Sequence, residues 1–384
     1  MRQRLFKPQT FFLALIHLVL GSGQTSYALA LRKAWLALGL KGEPVKSSLS
    51  KYRLKISFKF FKSRFEEMIV SSSSLRRTFH GLFIYAVDGQ ESAIPISEEI
   101  LRSGCRGRAR KNQMETYYPR LYISQSFDVL NEVITGSTAH PTRHENRDAL
   151  ELLKRAEMNS VTLYDRAYLS RALLESHFMH GSFFVFRCAR GATFKEVMVF
   201  AKSRKKEDIW MYGGKSIRLV KVKNKGHRDL IFATNLDEKD WPNELLGPLY
   251  ARRWGIETSF RDLVLKGFEF WHSKNLNGLL QELYAGLWLI NFARLQLLEE
   301  NTDDPDLWLE KEYKKANLKL MVTLLIDVMP LILKKKYKQV LAMIRSLIKR
   351  TTQNRRRQTR AFARVRKYSR KSFPFYNLVK RRDP

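Results

Sequence analysis

Two apolar runs in this chain each stop at an aspartate. Leu82-Phe83-Ile84-Tyr85-Ala86-Val87 ends at Asp88, and Val161-Thr162-Leu163-Tyr164 ends at Asp165. Short runs of this kind, rich in β-branched and aromatic residues, read as buried strands. A third acid, Glu257, lies in Tyr250-Ala251-Arg252-Arg253-Trp254-Gly255-Ile256-Glu257, a segment with helical spacing. Two carboxylates at the ends of neighbouring strands, with a third on a later helix, make a candidate divalent-metal site. Such an arrangement demands a mixed α/β core.

The surroundings of these acids are strongly basic. The 384 residues carry 70 Lys and Arg against 37 Asp and Glu, a formal charge of +33. That length supports roughly two or three domains and a sizeable core. A hydrophobic content of 44% with 7 Trp excludes a merely basic disordered chain. So much like charge opposes compaction unless a polyanion shares it, and nucleic acid is the expected polyanion. A ribosomal or membrane-surface protein would also be basic, but neither needs aligned strand-end acids. Cys105 and Cys188 are far apart, so neither a zinc site nor a disulfide framework is expected. Reduced thiols in a cytosolic protein are the default. The run Phe11–Leu20 resembles a signal-peptide core but is shorter than the about 20 residues a membrane-spanning helix needs. It reads as a buried helix.

Residues from about 8 to 70 have helical periodicity. Ser47-Ser48-Leu49-Ser50 is a candidate cap for a helix carrying Tyr52, Arg53, Lys55, Lys59, Lys62 and Arg64. That basic face suits a DNA-binding module, or equally a small helical domain with a solvated charged face. Ser71–Ser74 is the expected linker. Strands are expected at 82–87, 120–127, 131–138, 160–164 and 182–187, with a helix from Glu145 to Met158. Residues 193–235 hold three apolar runs (197–200, 209–212 and 216–222), then another at 229–234, with Gly213-Gly214 as a hairpin signal. This predicts a β-rich insertion between the second and third acids. One long helix is expected from Gly247-Pro248 to Gly267, another over about 277–299, and a basic helical stretch over 330–350. The tail from Arg350 is Arg- and Lys-rich. The organisation expected is a helical DNA-binding region over 1–74, a catalytic domain over 75–300 and a basic helical region with its tail over 301–384.

Metal-assisted phosphoryl transfer needs hard oxygen ligands, and Mg²⁺ prefers carboxylates and water. Two ions roughly 3.5–4 Å apart can activate the attacking oxygen and stabilise the leaving one. Asp88, Asp165 and Glu257 are the candidate ligands. On a single helix Tyr250, Arg253, Glu257 and Arg261 step by three, four and four and share one face. Arg253 could then grip a phosphate by paired hydrogen bonds, and Tyr250 could bond a phosphate oxygen. A surface helix with local salt bridges is the alternative. Trp210 could stack on an unpaired base or fill a hairpin core. His140 and His144 are too isolated to make a zinc site.

These motifs resemble the DDE transposases of bacterial insertion sequences, in the group marked by a Tyr-x2-Arg-x3-Glu-x6-Lys signature. The segment Val87-Asp88-Gly89-Gln90-Glu91 with Pro95 is similar to the first-acid segment of that family. Asp165-Arg166-Ala167-Tyr168 resembles its Asp-Arg-Gly-Tyr segment, and Thr234-Asn235-Leu236 also matches. The resemblance runs from about 80 to 300. It implies a ribonuclease-H-like core interrupted by a β-strand insertion. It implies Asp88, Asp165 and Glu257 as ligands of Mg²⁺, with Mn²⁺ as a substitute. It implies cleavage at the ends of a mobile element and transfer of the freed 3′ ends into target DNA, by a homodimer on double-stranded DNA. The implied setting is the bacterial cytoplasm, at the nucleoid when bound to DNA, with no membrane partner. One position departs from the pattern: Val264 stands where the signature has Lys. Lys266 lies two residues on and Arg261 one turn after Glu257, and both are candidate phosphate contacts. Two rivals follow: a decayed transposase that binds DNA without cutting it, and a metal-dependent nuclease without strand transfer.

Overall fold

The computed structural model describes residues 7–20, 26–42, 45–107, 118–191, 194–224, 228–263, 271–298, 308–309, 314–315, 318–351 and 353–354. Four helices open the chain: α1 (Pro8–Leu20), α2 (Tyr27–Ala37), α3 (Lys46–Lys55) and α4 (Phe58–Ser71). The sheet region follows with β1 (Phe83–Ala93), α5 (Glu98–Arg102), β2 (Arg120–Asp128), β3 (Val133–His140), α6 (Glu145–Leu153), β4 (Ser160–Tyr164), α7 (Arg171–His180) and β5 (Phe183–Arg187). Next come α8 (Lys195–Lys202), β6 (Glu207–Tyr212), β7 (Lys215–Val222), β8 (Leu230–Thr234), α9 (Asn243–Ala251), α10 (Trp254–Leu263) and α11 (Leu276–Leu298). The described chain closes with β9 (Lys314–Lys315), α12 (Leu318–Leu333), α13 (Tyr337–Thr351) and β10 (Gln353–Asn354).

One eight-stranded sheet organises the molecule, in the order β3-β2-β1-β4-β5-β8-β7-β6. The central strands β1, β4 and β5 are parallel, and their neighbours on both sides are antiparallel. All five residues of β4 are buried, as are the first five of β1. Strands buried on both faces carry continuous apolar runs rather than alternation, which is why 82–87 and 161–164 are legible without a period. One face, with Ile84, Ala86, Val161 and Leu163, packs under α1, α4, α10 and α11. The other, with Val87, Tyr164, Phe184 and Phe186, packs under α6, α7 and α8.

The Phe11–Leu20 run is a buried helix. Nearly every residue of α1 is buried, as expected for a helix apolar all round. It packs against α2, α11 and α12. Among the described residues no helix is long and apolar enough to cross a membrane.

Several expectations need correction. The basic helix expected from Ser47 onward is two helices. They break at Ile56-Ser57, and Ser57 Oγ accepts from the Lys59 N–H at the new start. Val45, not one of the serines, is the N-cap of α3, with no side-chain bond. Arg53 does not belong to a solvated face. It is buried, pairs with Glu282 at 2.8 Å, donates to Gln281 and hydrogen-bonds Tyr27, tying α3 to α11. The Ser71–Ser74 linker is instead a tight turn with Ser72 buried. The helix from Glu145 stops at Leu153, and His144 precedes it without a side-chain capping bond. The 197–200 run is helical, within α8. Its buried residues Val197, Phe200 and Ala201 fall at helical spacing, and burial of one face overrode the β-branched composition. The remaining strands of the insertion are present. Gly213 and Gly214 make the β6–β7 turn, both with positive φ (55° and 76°), a backbone region that suits glycine. These strands extend the main sheet, because β8 pairs with β5.

The long helix expected from Gly247 to Gly267 is also divided. It becomes α9, a tightened turn at Arg252-Arg253, and α10. Pro248 lies inside α9, where it lacks an N–H to donate. Beyond it the backbone uses short-range bonds: Arg252 N–H to Leu249 O at 3.0 Å, Arg253 N–H to Tyr250 O at 3.0 Å, and Gly255 N–H to Arg252 O at 2.8 Å. The two helices therefore do not share one continuous face.

Candidate active site

Strand register sets the first two acids side by side. β1 and β4 run parallel with Ala86 opposite Leu163. Asp88 and Asp165 each lie two residues further on. Side chains alternate along a strand, so each aspartate continues the face that carries Ala86 and Leu163. That face packs under α10, which buries Ile256 and Phe260 and thereby delivers Glu257 to the same end of the sheet.

Arg253 joins the first and third acids. Its guanidinium lies 3.4 Å from Asp88 Oδ2 and 2.9 Å from Glu257 Oε1. The Arg253 side chain is 5% exposed, whereas those of Asp88 and Glu257 are 25% and 40% exposed. The guanidinium also sits 5.8 Å from the Tyr250 ring and 5.6 Å from the Trp254 ring. Asp165 makes no direct contact with Arg253. Its charge nonetheless acts on Asp88, Tyr250 and Arg253. Asp165 instead faces Arg187 at 3.8 Å.

The acids press on one another. Burial pushes the Asp88 carboxyl above the usual carboxylate range, and the charges of Glu257 and Asp165 push the same way. The Gly89 N–H bond at 2.8 Å and the Arg253 charge oppose them. Burial pulls the Arg253 guanidinium down, yet Tyr250, Glu257, Asp88 and Asp165 together raise it above its ordinary value. The two partners thus record their contact differently. At 3.4 Å the arginine gains from the carboxylate, but it does not repay Asp88 for lost hydration. Burial is also the main cause that pushes Tyr250 up to about 12, with Asp165 adding to it.

Four buried polar atoms around these acids lack a well-aligned hydrogen bond: Asp165 Oδ1, Tyr168 Oη, Tyr250 Oη and Arg253 Nε. Buried polar groups are ordinarily paired. Among the described residues no three His, Cys, Asp or Glu side chains stand close enough together to hold one ion. The donor chemistry nevertheless fits a hard divalent cation: three carboxylates, one with a buried oxygen that accepts no hydrogen bond and meets only the Arg187 charge at 3.8 Å, and one made hard to ionise partly by the other two.

The remaining candidates divide. Tyr250 ends α9, Arg253 stands in the turn, and Glu257 is in α10, so their convergence comes from the turn rather than from one helical face. Arg261 lies within α10. Lys266 and Val264 lie outside the described residues. Trp210 is buried between Phe194 and Tyr212, with ring centroids at 4.8 and 5.5 Å, so it is a core residue of the insertion. His140 Nε2 lies 3.4 Å from buried Asp148, away from the three acids.

Two participants escaped the sequence reading. Leu163 pairs with Val185, which puts Arg187 on the rung beside Asp165. An arginine closing the apolar run Phe183–Phe186 was the available signal. Tyr122 crosses from β2 so closely over Gly89 that a Cβ there would lie 2.0 Å from its hydroxyl. Tyr122 Oη stands 3.3 Å from Glu145 Oε1, and the Arg143 guanidinium lies 5.7 Å from its ring. Nothing in local spacing announces that contact, which depends on the β1–β2 register.

Comparison with known proteins bears on this geometry. Residues 121–292 match the family model described as "Transposase DDE domain". That stretch contains Asp165 and Glu257 and begins after Asp88. The chain is 24% identical over 239 residues to "Transposase InsG for insertion sequence element IS4" of Escherichia coli (strain K12), over 57% of this chain and 53% of that protein. It thus spans about half the length of this curated relative. A solved chain from the piggyBac transposase synaptic complex with hairpin DNA aligns with 94% of this chain and 81% of its own length. The TM-score is 0.49 at 14% identity, a likeness too slight to carry a conclusion. The domain match and the insertion-sequence relative make this chain similar, over these stretches, to the DDE transposases of insertion sequences.

Proposed function

We propose that this protein is a DNA transposase that binds the ends of an insertion sequence, cleaves phosphodiester bonds with divalent metal and joins the 3′ ends to target DNA. One arrangement carries the reading: Asp88 and Glu257 share a guanidinium at the end of the sheet where Asp165 closes the adjoining strand. The order β3-β2-β1-β4-β5, with a parallel centre, supports a ribonuclease-H-like core interrupted by the strands between β5 and α9.

In this reading Asp88, Asp165 and Glu257 hold the metal, Mg²⁺ with Mn²⁺ as a substitute. The bound metal supplies positive charge for the attacking and leaving oxygens. Arg253 grips a phosphate through paired N–H groups, which its planar guanidinium suits. Tyr250 offers its hydroxyl to the same backbone, and Arg261 and Lys266 are the further candidate phosphate contacts. The high pKa of Tyr250 keeps it a hydrogen-bond donor at neutral pH. Residues 1–74 contribute DNA binding, 75–300 catalysis and 301–384 a basic surface. A homodimer pairs two element ends in the cytoplasm, at the nucleoid. The formal charge of +33 matches a polyanionic partner.

Val264 favours a second reading, a decayed transposase that retains only DNA binding. The deciding experiment incubates the purified chain with supercoiled DNA carrying its own element ends, with and without Mg²⁺, beside Asp88→Ala. Metal-dependent cutting at the ends, lost in Asp88→Ala, is the expected result. Cut ends without joined products would reduce the activity to a nuclease. Salt-sensitive binding without cutting under Mg²⁺ or Mn²⁺ would establish the second reading and make Val264→Lys the first reversion.

A further inference from the structure

Arg253 stands among the oxygens that a metal would need. It is nearly buried, held beside the rings of Tyr250 and Trp254, and spans Asp88 at 3.4 Å and Glu257 at 2.9 Å. A guanidinium stays charged at any working pH. Two cations cannot both use the Asp88 Oδ2 and Glu257 Oε1 positions without repelling each other. One nitrogen of the group, Nε, has no hydrogen-bond partner where it now sits.

We infer that Arg253 is an internal counter-ion that holds Asp88 and Glu257 until a divalent cation replaces it, releasing the guanidinium to a DNA phosphate. The inference rests on the reading of Asp88, Asp165 and Glu257 as a metal site, and adds an order of events to it. The same side chain has two uses that exclude each other in time. On the carboxylates it supplies a fixed positive charge that bridges two acids from separate elements, β1 and α10. On a phosphate it forms the paired contact to which its planar fork is suited. Metal and DNA loading are then linked, because each favours the position of Arg253 that the other requires. Arg187 beside Asp165 differs: it contacts one acid, at 3.8 Å, and holds no pair together.

The test is Mn²⁺ binding by the full chain without DNA, followed by electron paramagnetic resonance, for wild type, Arg253→Gln, Arg253→Lys and Asp88→Asn. A neighbouring charge changes a carboxylate's affinity for a proton by about tenfold or more. Arg253→Gln is therefore expected to bind Mn²⁺ about tenfold tighter than wild type, although it cuts DNA less. Arg253→Lys, whose single ammonium cannot span both acids, is expected to fall between the two, and it serves alone if circular dichroism shows Arg253→Gln unfolded. Asp88→Asn should lose the site. Equal or weaker Mn²⁺ binding in the Arg253 variants, with binding still lost in Asp88→Asn, would overturn the counter-ion role and leave the metal-site reading standing. Absence of any Asp88-dependent Mn²⁺ binding in every protein, with DNA or without, would remove both.

Discussion

Two arginines meet carboxylates along β1, one at its first end and one at its middle, and they are built for different purposes. At the first end Arg76 donates to Tyr85 Oη at 2.9 Å, lies 3.5 Å from Asp128 Oδ2, pairs with Glu157 and covers the Phe83 ring at 4.7 Å. The side chains of Arg76 and Asp128 are fully buried. Asp128 also accepts from the Asn131 backbone N–H at 3.0 Å and side-chain Nδ2 at 2.8 Å. At mid-strand Arg253 is nearly as withdrawn, and both of its acids are partly open to solvent. The first cluster centres on a carboxylate sealed from solvent, Asp128, with Glu157 at its 29% exposed edge; the second has no sealed carboxylate among Asp88 and Glu257. In both, the arginine Nε lacks a hydrogen-bond partner. A sealed carboxylate fixes a structure; reachable ones leave room for a partner from outside.

The largest expected difference comes from removing each arginine. Arg76→Leu leaves Asp128 buried without its counter-charge, which costs about 3–5 kcal/mol. Arg253→Leu loses pairs to half-open acids, worth about 1 kcal/mol or less. Urea unfolding of the two variants measures this directly. Similar losses would show that both clusters are structural and would dissolve the contrast.

A middle-sized effect tests how tightly the open cluster is assembled. Gly89→Ala sets a methyl against Tyr122 Oη and is expected to cost about 1–3 kcal/mol, the usual range for overpacking. DNA cutting should fall with it, because Asp88 is the preceding residue. Adding Tyr122→Leu should restore much of the stability, a coupling that a double-mutant cycle reads out. Additive losses would mean that Tyr122 is not what excludes a side chain at Gly89.

An effect that is small near neutral pH and grows only in acid concerns the layer behind the second acid. His177 is buried between Tyr164 Oη at 3.0 Å and Ser182 Oγ at 2.9 Å, directly beneath the strand that ends at Asp165. Burial, aided by the charge of His180, lowers its pKa from 6.5 to about 3. The unfolded chain therefore takes up a proton below about pH 6.5 that the folded chain refuses. His177 contributes stability above that pH and loses it progressively as pH falls toward 3, by about 1 kcal/mol per pH unit. His177→Gln should flatten that acid limb in unfolding midpoints measured across pH. Parallel decline in wild type and variant would assign the limb to other groups.

Much of the candidate site's layout was legible because buried parallel strands must be apolar on both faces. That requirement made Leu82–Val87 and Val161–Tyr164 stand out, with the acid closing each. The same principle marked α1 as a buried helix and Gly213-Gly214 as a hairpin turn. Local pattern failed where packing or backbone bonding decided the outcome. The 197–200 run has strand-like composition, yet one-sided burial made it a helix. Arg53 looks like part of a charged face, but its partners Gln281 and Glu282 come from a helix over two hundred residues away. The edge of β3 is another case. Asn291 of α11 accepts from the Ile134 N–H at 3.0 Å and donates to its carbonyl at 2.7 Å, imitating a neighbouring strand.

The sequence by itself singled out the candidate site residues: two acids that each close an apolar run and a third at helical spacing, set in a basic chain. Those follow from composition, spacing and the burial of short apolar runs, all local properties. Only the tertiary structure decided how the acids are held. The turn between α9 and α10 places Arg253 on Asp88 and Glu257, the β4–β5 register places Arg187 beside Asp165, and the β1–β2 register lays Tyr122 over Gly89. These contacts depend on relative positions of segments distant in the chain. No periodicity encodes such positions, because they are settled by which faces can be buried together.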